Sequence, residues 1–200
     1  MTKRGTFICI EGIDASGKTT QAHLLVKSLR QKGFEAVYTT EPSLGEVGKF
    51  IRRYVLQRKK RVPIVVEALL FATDRVDHVE NRIKPALEKG KVVVCDRYVY
   101  SSLAYQGAAG LNQTWIEQIN RLALIPNLSI FIDVPPEMVL KRLKRKKSVM
   151  ETLRIQRKVR RIYIDMVEKN RLVLVDGNRT IEQVAKDILN LVLQSLEKAV

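Results

Sequence analysis

Gly12-Ile13-Asp14-Ala15-Ser16-Gly17-Lys18-Thr19 decides how this 200-residue chain is read. The stretch fits G-x-x-x-x-G-K-[ST], a loop that holds phosphate. The apolar run Thr6-Phe7-Ile8-Cys9-Ile10 precedes it, and a helical pattern from Thr20 to Gln31 follows. Strand, loop and helix are the context the motif requires. Its glycines let backbone N–H groups approach a polyphosphate, and the helix behind turns its positive end to the same place. Lys18 supplies a cation for the β and γ phosphates, and Thr19 a hydroxyl for Mg²⁺. A chance glycine-rich turn is the competing explanation, and the flanking strand and helix argue against it.

Composition bounds the rest. The chain is long enough for one domain with a real core, and an apolar fraction of 46% reads as globular, not disordered. Its apolar runs are far short of a membrane span, and residues 1–10 lack the pattern of a secretory signal. Cys9 and Cys95 fall at strand ends and read as buried thiols, which fits a reducing, cytoplasmic setting. Two histidines and two such cysteines make no zinc pattern.

The net charge of +15 invites a nucleic-acid reading. Its distribution is uneven. Residues 49–61 hold seven Lys or Arg and no acid, residues 141–161 hold eleven and a single acid, and the rest of the chain carries −2. Two loops closing over phosphates explain this, and so does a basic face; solvated helix faces account for part of either.

Strands are expected at 6–10, 35–38, 91–96, 128–133 and 172–175. Helices are expected at 17–31, 46–57, 63–89 with a break at Pro85, 99–107, 114–125, from Pro136, 149–169 and 181–198. Strands alternating with helices predict an α/β fold with a parallel sheet covered on both faces. Asp96 ends a strand buried on both faces, where a carboxylate can hold a Mg²⁺-bound water or cap a helix. In the 63–89 helix, Phe71, Arg75 and His78 share one face, and Leu69, Ala72, Val76, Val79 and Ile83 form an apolar stripe expected to meet the core. Phe71 and Arg75 could grip a planar base, but aromatics at helical spacing are mostly packing. His78 reads as surface. In the 149–169 helix the buried stripe is Ile155, Val159, Ile162 and Met166, with Arg154, Arg157 and Arg161 on another side. The run 141–147 holds six basic residues in seven, fitting an arm that reaches over phosphates or a solvated run.

Asp96-Arg97-Tyr98 with Ser101 and Ala104-Tyr105-Gln106-Gly107 resembles the signature of thymidylate kinases. So do Leu70-Phe71-Ala72-Thr73-Asp74-Arg75 with His78, and Glu11-Gly12-Ile13-Asp14; Glu41-Pro42, Gly48 and Ile51-Arg52 match more loosely. The resemblance covers about residues 6–165. It implies a three-layer P-loop NTPase fold with a five-stranded parallel sheet and a basic lid at about 141–154, in one domain spanning 1–200. It implies Mg²⁺-dependent transfer of the γ-phosphate of ATP to deoxythymidine monophosphate (dTMP) by a cytoplasmic homodimer, without nucleic-acid or membrane partners.

By the same resemblance Asp14 contacts the 3′-hydroxyl region, Phe71 stacks on thymine and Arg75 bonds its O4. Arg52 and Arg97 clamp the acceptor phosphate, Tyr105 crowds the 2′ position, and Ser101 and Gln106 lie near the base. Lys18, Asp96 and Arg97 carry the catalytic roles, together with a lid arginine drawn from Arg142, Arg145 and Arg154. Members with an arginine just after the loop acid differ here, where Ala15 stands. Bacterial members often read Arg-Glu-Pro-Gly-Gly-Thr where this chain has Thr40-Glu41-Pro42-Ser43-Leu44-Gly45; Arg52 or Arg53 is the candidate replacement for that arginine. Two other readings compete: a kinase for other or more varied monophosphates or for a nucleoside, and a nucleic-acid-binding P-loop ATPase.

Overall fold

The computed structural model describes residues 5–57, 61–142 and 152–197, with 140–142 described as backbone. Five strands form one parallel sheet in the order β2-β3-β1-β4-β5: β1 Thr6–Glu11, β2 Ala36–Thr40, β3 Val92–Asp96, β4 Leu128–Asp133 and β5 Val173–Asp176. β1 is central. Its Ile8 and Ile10 pack with Ala22, Leu25 and Leu29 of α1 (Lys18–Gln31), and its Phe7 and Cys9 pack with Val79 and Ile83 on the other face. Both faces are therefore covered, which is why the strand reads as an uninterrupted apolar run. Cys9 and Cys95 sit in register on β1 and β3, buried and free, as expected of inert thiols.

The expected helix from Pro63 is three pieces: α3 Ile64–His78, a π turn Val79–Ile83 and α4 Lys84–Glu88. Pro85 explains the interruption. It offers no N–H to the carbonyl a turn earlier, and the ladder loosens just before it. The expected apolar stripe holds at Ala72, Val79 and Ile83, which are buried, and fails at Leu69, which is 45% exposed; Glu67, Asp74, Arg75 and His78 are buried as well. Polar groups line the inner face of α3 because acids and amides from other elements meet them there.

A second helix, α2 Glu46–Ile51, runs into a π turn at Arg52–Leu56. It lies against the loop after β2, where Asp74 holds Ser43: its carboxylate accepts from the Ser43 backbone N–H at 2.7 Å and from the hydroxyl at 2.6 Å. Gly48 permits that close approach, since a Cβ there would lie 2.0 Å from the Ser43 carbonyl oxygen.

After β3 come α5 Val99–Ala108 and α6 Gln113–Ile119; after β4 come α7 Pro136–Arg142, α8 Leu153–Glu168 and, following β5, α9 Ile181–Glu197. α6 is shorter than its pattern suggested and ends at Asn120. The buried face of α8 carries Gln156, Val159, Tyr163 and Met166, so the expected stripe is rotated: Ile155 and Ile162 flank it.

α5 has a cap supplied from outside its own sequence. The Glu11 carboxylate at the end of β1 accepts the N–H groups of Tyr98 (2.8 Å) and Ser101 (3.3 Å), the Ser101 hydroxyl (2.7 Å) and the Tyr163 hydroxyl (2.9 Å). It satisfies orphan donors of the helix start with the charge sign the dipole favours. Burial raises the Glu11 pKa, and these bonds together with nearby Arg97 oppose the rise. The Tyr163 ring also stacks on Phe131 of β4 at 4.7 Å, so one side chain ties α8 to β1 and β4.

Two outcomes test this packing. Gly48→Ala should destabilise the protein by about 1–3 kcal/mol in urea unfolding, because the backbone at Ser43 must retreat. Tyr163→Phe, which keeps the ring and removes the hydroxyl, should lower stability by about 1–2 kcal/mol in the same measurement.

Candidate active site

The loop between β1 and α1 opens at the carboxyl edge of the sheet, beside the ends of β3 and β4, the place where parallel sheets bind ligands. Ala15 (φ 56°) and Gly17 (φ 96°) take left-handed backbone and turn the loop back on itself. Gly12 admits no side chain: a Cβ would meet the Ser16 hydroxyl at 2.6 Å and the Ile132 carbonyl at 2.9 Å. Lys18 is buried and folds its ammonium onto the Ile13 carbonyl at 2.7 Å. Burial and then the Arg97 charge press its pKa down to about 8, against the pull of Asp96, Asp14 and Glu11. A polyphosphate in the loop would stabilise the ammonium. The buried Ser16 hydroxyl has no partner among the described residues, so the loop holds an unspent polar group as well as a cation.

Thr19 donates its hydroxyl to one oxygen of the Asp96 carboxylate. The other Asp96 oxygen is buried without a partner among the described residues. A hydroxyl beside a carboxylate with a spare oxygen is a hard-oxygen donor set, the chemistry that suits Mg²⁺, bound directly or through water.

Arg97 follows Asp96 and breaks the strand with φ 71°, a left-handed conformation that raises a non-glycine residue by about 1–2 kcal/mol. The turn aims its guanidinium at the loop. Nη2 donates to Asp14 and to the Tyr105 hydroxyl (3.4 Å); Nη1 donates to the Gly12 carbonyl (3.3 Å) and the Ser101 hydroxyl (3.2 Å). The guanidinium carbon also lies 5.0 Å from the Tyr105 ring centre. Asp14 is the counter-charge. Burial would raise its pKa, but Arg97 and Lys18 outweigh that and hold it below the usual carboxylate value. Gln156 of α8 donates to its second oxygen at 3.2 Å.

Arg75 is 1% exposed. Its Nε and Nη2 donate to one oxygen of Glu41 at 2.9 and 2.6 Å, Nη2 also to the Ser102 hydroxyl at 3.2 Å, and Nη1 to the Asn120 side-chain carbonyl. His78, expected at the surface, is buried one turn further along α3. Its ring joins the other Glu41 oxygen (3.2 Å) to the Thr39 hydroxyl (2.6 Å). Helical spacing does place it on the Arg75 face; the presence of Glu41 makes that face an inner one.

Glu67, Phe71 and Arg75 rise along α3 at four-residue steps and so share a face. Gln106 of α5 donates to Glu67 at 2.9 Å, and its own carbonyl oxygen is buried without a partner among the described residues. Phe71 is half-buried and packs on Ile51, Val55 and Val62. Arg52 turns its guanidinium to the carbonyls of Pro42 and Ser43. Arg154 is exposed at the start of α8, and Arg142 ends α7 as backbone. Arg145 and most of the expected lid, 143–151, lie outside the described residues.

Asp14, Arg97, Ser101 and Tyr105 thus form one bonded group, and Lys18, Thr19 and Asp96 border it. Glu11, Glu41, Glu67, Asn120, Gln156 and Tyr163 were not singled out from sequence. Glu11 and Glu41 stood inside recognised motifs and could have been; Asn120 and Gln156 carry no local signal.

The family model described as thymidylate kinase matches residues 10–188. The chain is similar to a probable thymidylate kinase of Pyrococcus horikoshii, 45% identical over 201 residues that cover 96% of this chain and 98% of the relative. It is 41% identical to a probable thymidylate kinase of Thermococcus gammatolerans over 203 residues, covering 96% and 98%. A thymidylate kinase of Symbiobacterium thermophilum is 42% identical over 206 residues, covering 96% and 94%. With the phosphate loop, the parallel sheet and near full-length matches in agreement, this chain belongs to the thymidylate kinase family.

Proposed function

We propose that the site described above performs the thymidylate kinase reaction, transfer of the ATP γ-phosphoryl group to dTMP, giving the diphosphate and ADP. Residues 12–19 cradle the ATP phosphates with Lys18 against them. Thr19 and Asp96 hold Mg²⁺, which when bound neutralises phosphate charge. Arg97 binds the acceptor phosphate beside Asp14, which faces the 3′-hydroxyl, and Arg52 assists from the π turn after α2. Tyr105 packs against the sugar at C2′, with Ser101 close by. The chain's own contribution is to bring two anionic groups into line and offset their repulsion, since phosphoryl transfer asks little covalent chemistry of a protein. A lid arginine, from Arg142, Arg145 or Arg154, completes that compensation, within one domain spanning 1–200.

The observation that carries the reading is an unpaired polar atom on each of two helices that meet, α3 and α5. Arg75 on α3 keeps an N–H of Nη1 without an acceptor among the described residues, and Gln106 on α5 keeps a carbonyl without a donor. Thymine presents the matching pattern, a carbonyl at C4 and an N–H at N3. Cytosine presents an amino group and a lone pair, and a site built of polar groups rejects such a mismatch strongly. Phe71, midway between Glu67 and Arg75, offers its ring to the base.

The other roles are proposals of the same kind. A homodimer is supported by Val65, Val66 and Leu69 of α3, apolar side chains 39–45% exposed along one helix; a cytoplasmic setting is supported by Cys9 and Cys95, buried as free thiols. Absence of a nucleic-acid partner is supported by Arg157, Arg160 and Arg161, basic residues of the second cluster that pair with Glu137, Asp133 and Asp165. No helix among the described residues is long and apolar enough to cross a membrane.

A coupled assay with ATP should show turnover of dTMP well above that of deoxycytidine or purine monophosphates; equal rates would refute the reading. Arg75→Ala should weaken dTMP binding by about 10–100-fold while ATP binding stays near its original value, and equal losses for both nucleotides would refute the assignment. Sedimentation should show a dimer that Leu69→Glu dissociates.

A further inference from the structure

We propose that Asn120, at the end of α6, is a positioning residue that sets the choice of thymine over cytosine by locking the Arg75 guanidinium. The proposal rests on the assignment of Arg75 to the base and extends it to a residue that no motif includes.

Asn120 is 6% exposed. Its amide nitrogen donates to the Ile116 carbonyl at 2.8 Å, closing the last turn of α6. That bond fixes which way the amide points, so its carbonyl oxygen faces Arg75 and accepts from Nη1. An arginine has five N–H groups in one plane. Glu41 takes the Nε group and one on Nη2, Ser102 takes the second on Nη2, and Asn120 takes one on Nη1. A single N–H remains without an acceptor among the described residues. Because the guanidinium is planar, fixing its other four donors fixes the direction of the fifth.

That rigidity is where selectivity comes from. A donor that can swing away penalises nothing: confronted with the amino group of cytosine, it would turn toward another acceptor. A guanidinium held on three sides cannot turn, so a cytosine leaves two donors facing each other in a buried site. Glu41 and Ser102 secure the Nε and Nη2 edge, and the His78 ring backs Glu41. Among the described residues only Asn120 secures the Nη1 edge, the one that carries the free donor. A neutral amide suits the place, because Glu41 already supplies the counter-charge and a second carboxylate would leave the pocket with excess negative charge.

The test compares steady-state kinetics of the full chain and its Asn120→Ala variant with dTMP, deoxyuridine and deoxycytidine monophosphates. The deoxyuridine nucleotide shares the C4 carbonyl without the methyl group, so its ratio to the cytidine nucleotide isolates that position. Asn120→Ala should reduce this ratio by about ten-fold or more, mainly through a higher KM for dTMP and the deoxyuridine nucleotide, with the KM for ATP unchanged. Asn120→Leu, which fills the space without an acceptor, should reduce the ratio to the same extent, and it decides the matter should the alanine variant fail to fold. An unchanged ratio in either variant overturns the proposal. A parent enzyme with no preference between the deoxyuridine and deoxycytidine nucleotides would instead overturn the assignment of Arg75 to the base.

Discussion

An ion cannot be buried without compensation, and this constraint organises the site. Two guanidinium groups, Arg75 and Arg97, lie against the carboxyl edge of the sheet. Each is held by a carboxylate, Glu41 and Asp14. Removing one partner of the buried Arg75–Glu41 pair leaves a charge stranded, at a cost of about 3–5 kcal/mol. The pairs contribute little net stability against well-packed apolar replacements. What they provide is position: each cation is held by its own carboxylate in one orientation, which lowers the ordering that nucleotide binding must impose.

The sheet delivers these groups because its strand ends lie side by side. Glu11, Glu41, Asp96 with Arg97, and Asp133 stand at or just beyond the ends of β1, β2, β3 and β4. Parallel register brings them to one edge although nearly ninety residues separate Glu11 from Arg97. The local strain at Arg97, a left-handed residue directly after a buried strand, turns its side chain across β1 toward Gly12 and Asp14. Strain of this size persists where surrounding bonds over-determine it, and the contacts of Arg97 with Asp14, Gly12, Ser101 and Tyr105 do so.

The helix α8 fastens the phosphate-loop side of the site. Gln156 bonds Asp14, Tyr163 bonds Glu11, and Arg160 makes a two-pronged pair with Asp133 at 2.7 Å. One helix therefore touches Asp14, the cap of α5 and the end of β4. The apolar period of α8 alone pointed to a neighbouring stripe, because Gln156 and Tyr163 do not register as core residues until their partners are known. The same holds for α3, whose buried face is polar.

The sequence by itself determined the phosphate loop, the alternation of strands and helices, and the family, because those signals are local: a glycine pattern, a period of apolar residues, a few side chains at fixed spacing. It also placed β4 to the residue, since an apolar run bounded by polar residues and followed by two prolines has well-defined ends. Tertiary structure alone decided which polar residues are inside. His78, Glu41, Asn120 and Gln156 are buried because their hydrogen-bond partners arrive from elements far away in the chain, and no window of sequence contains both members of such a pair.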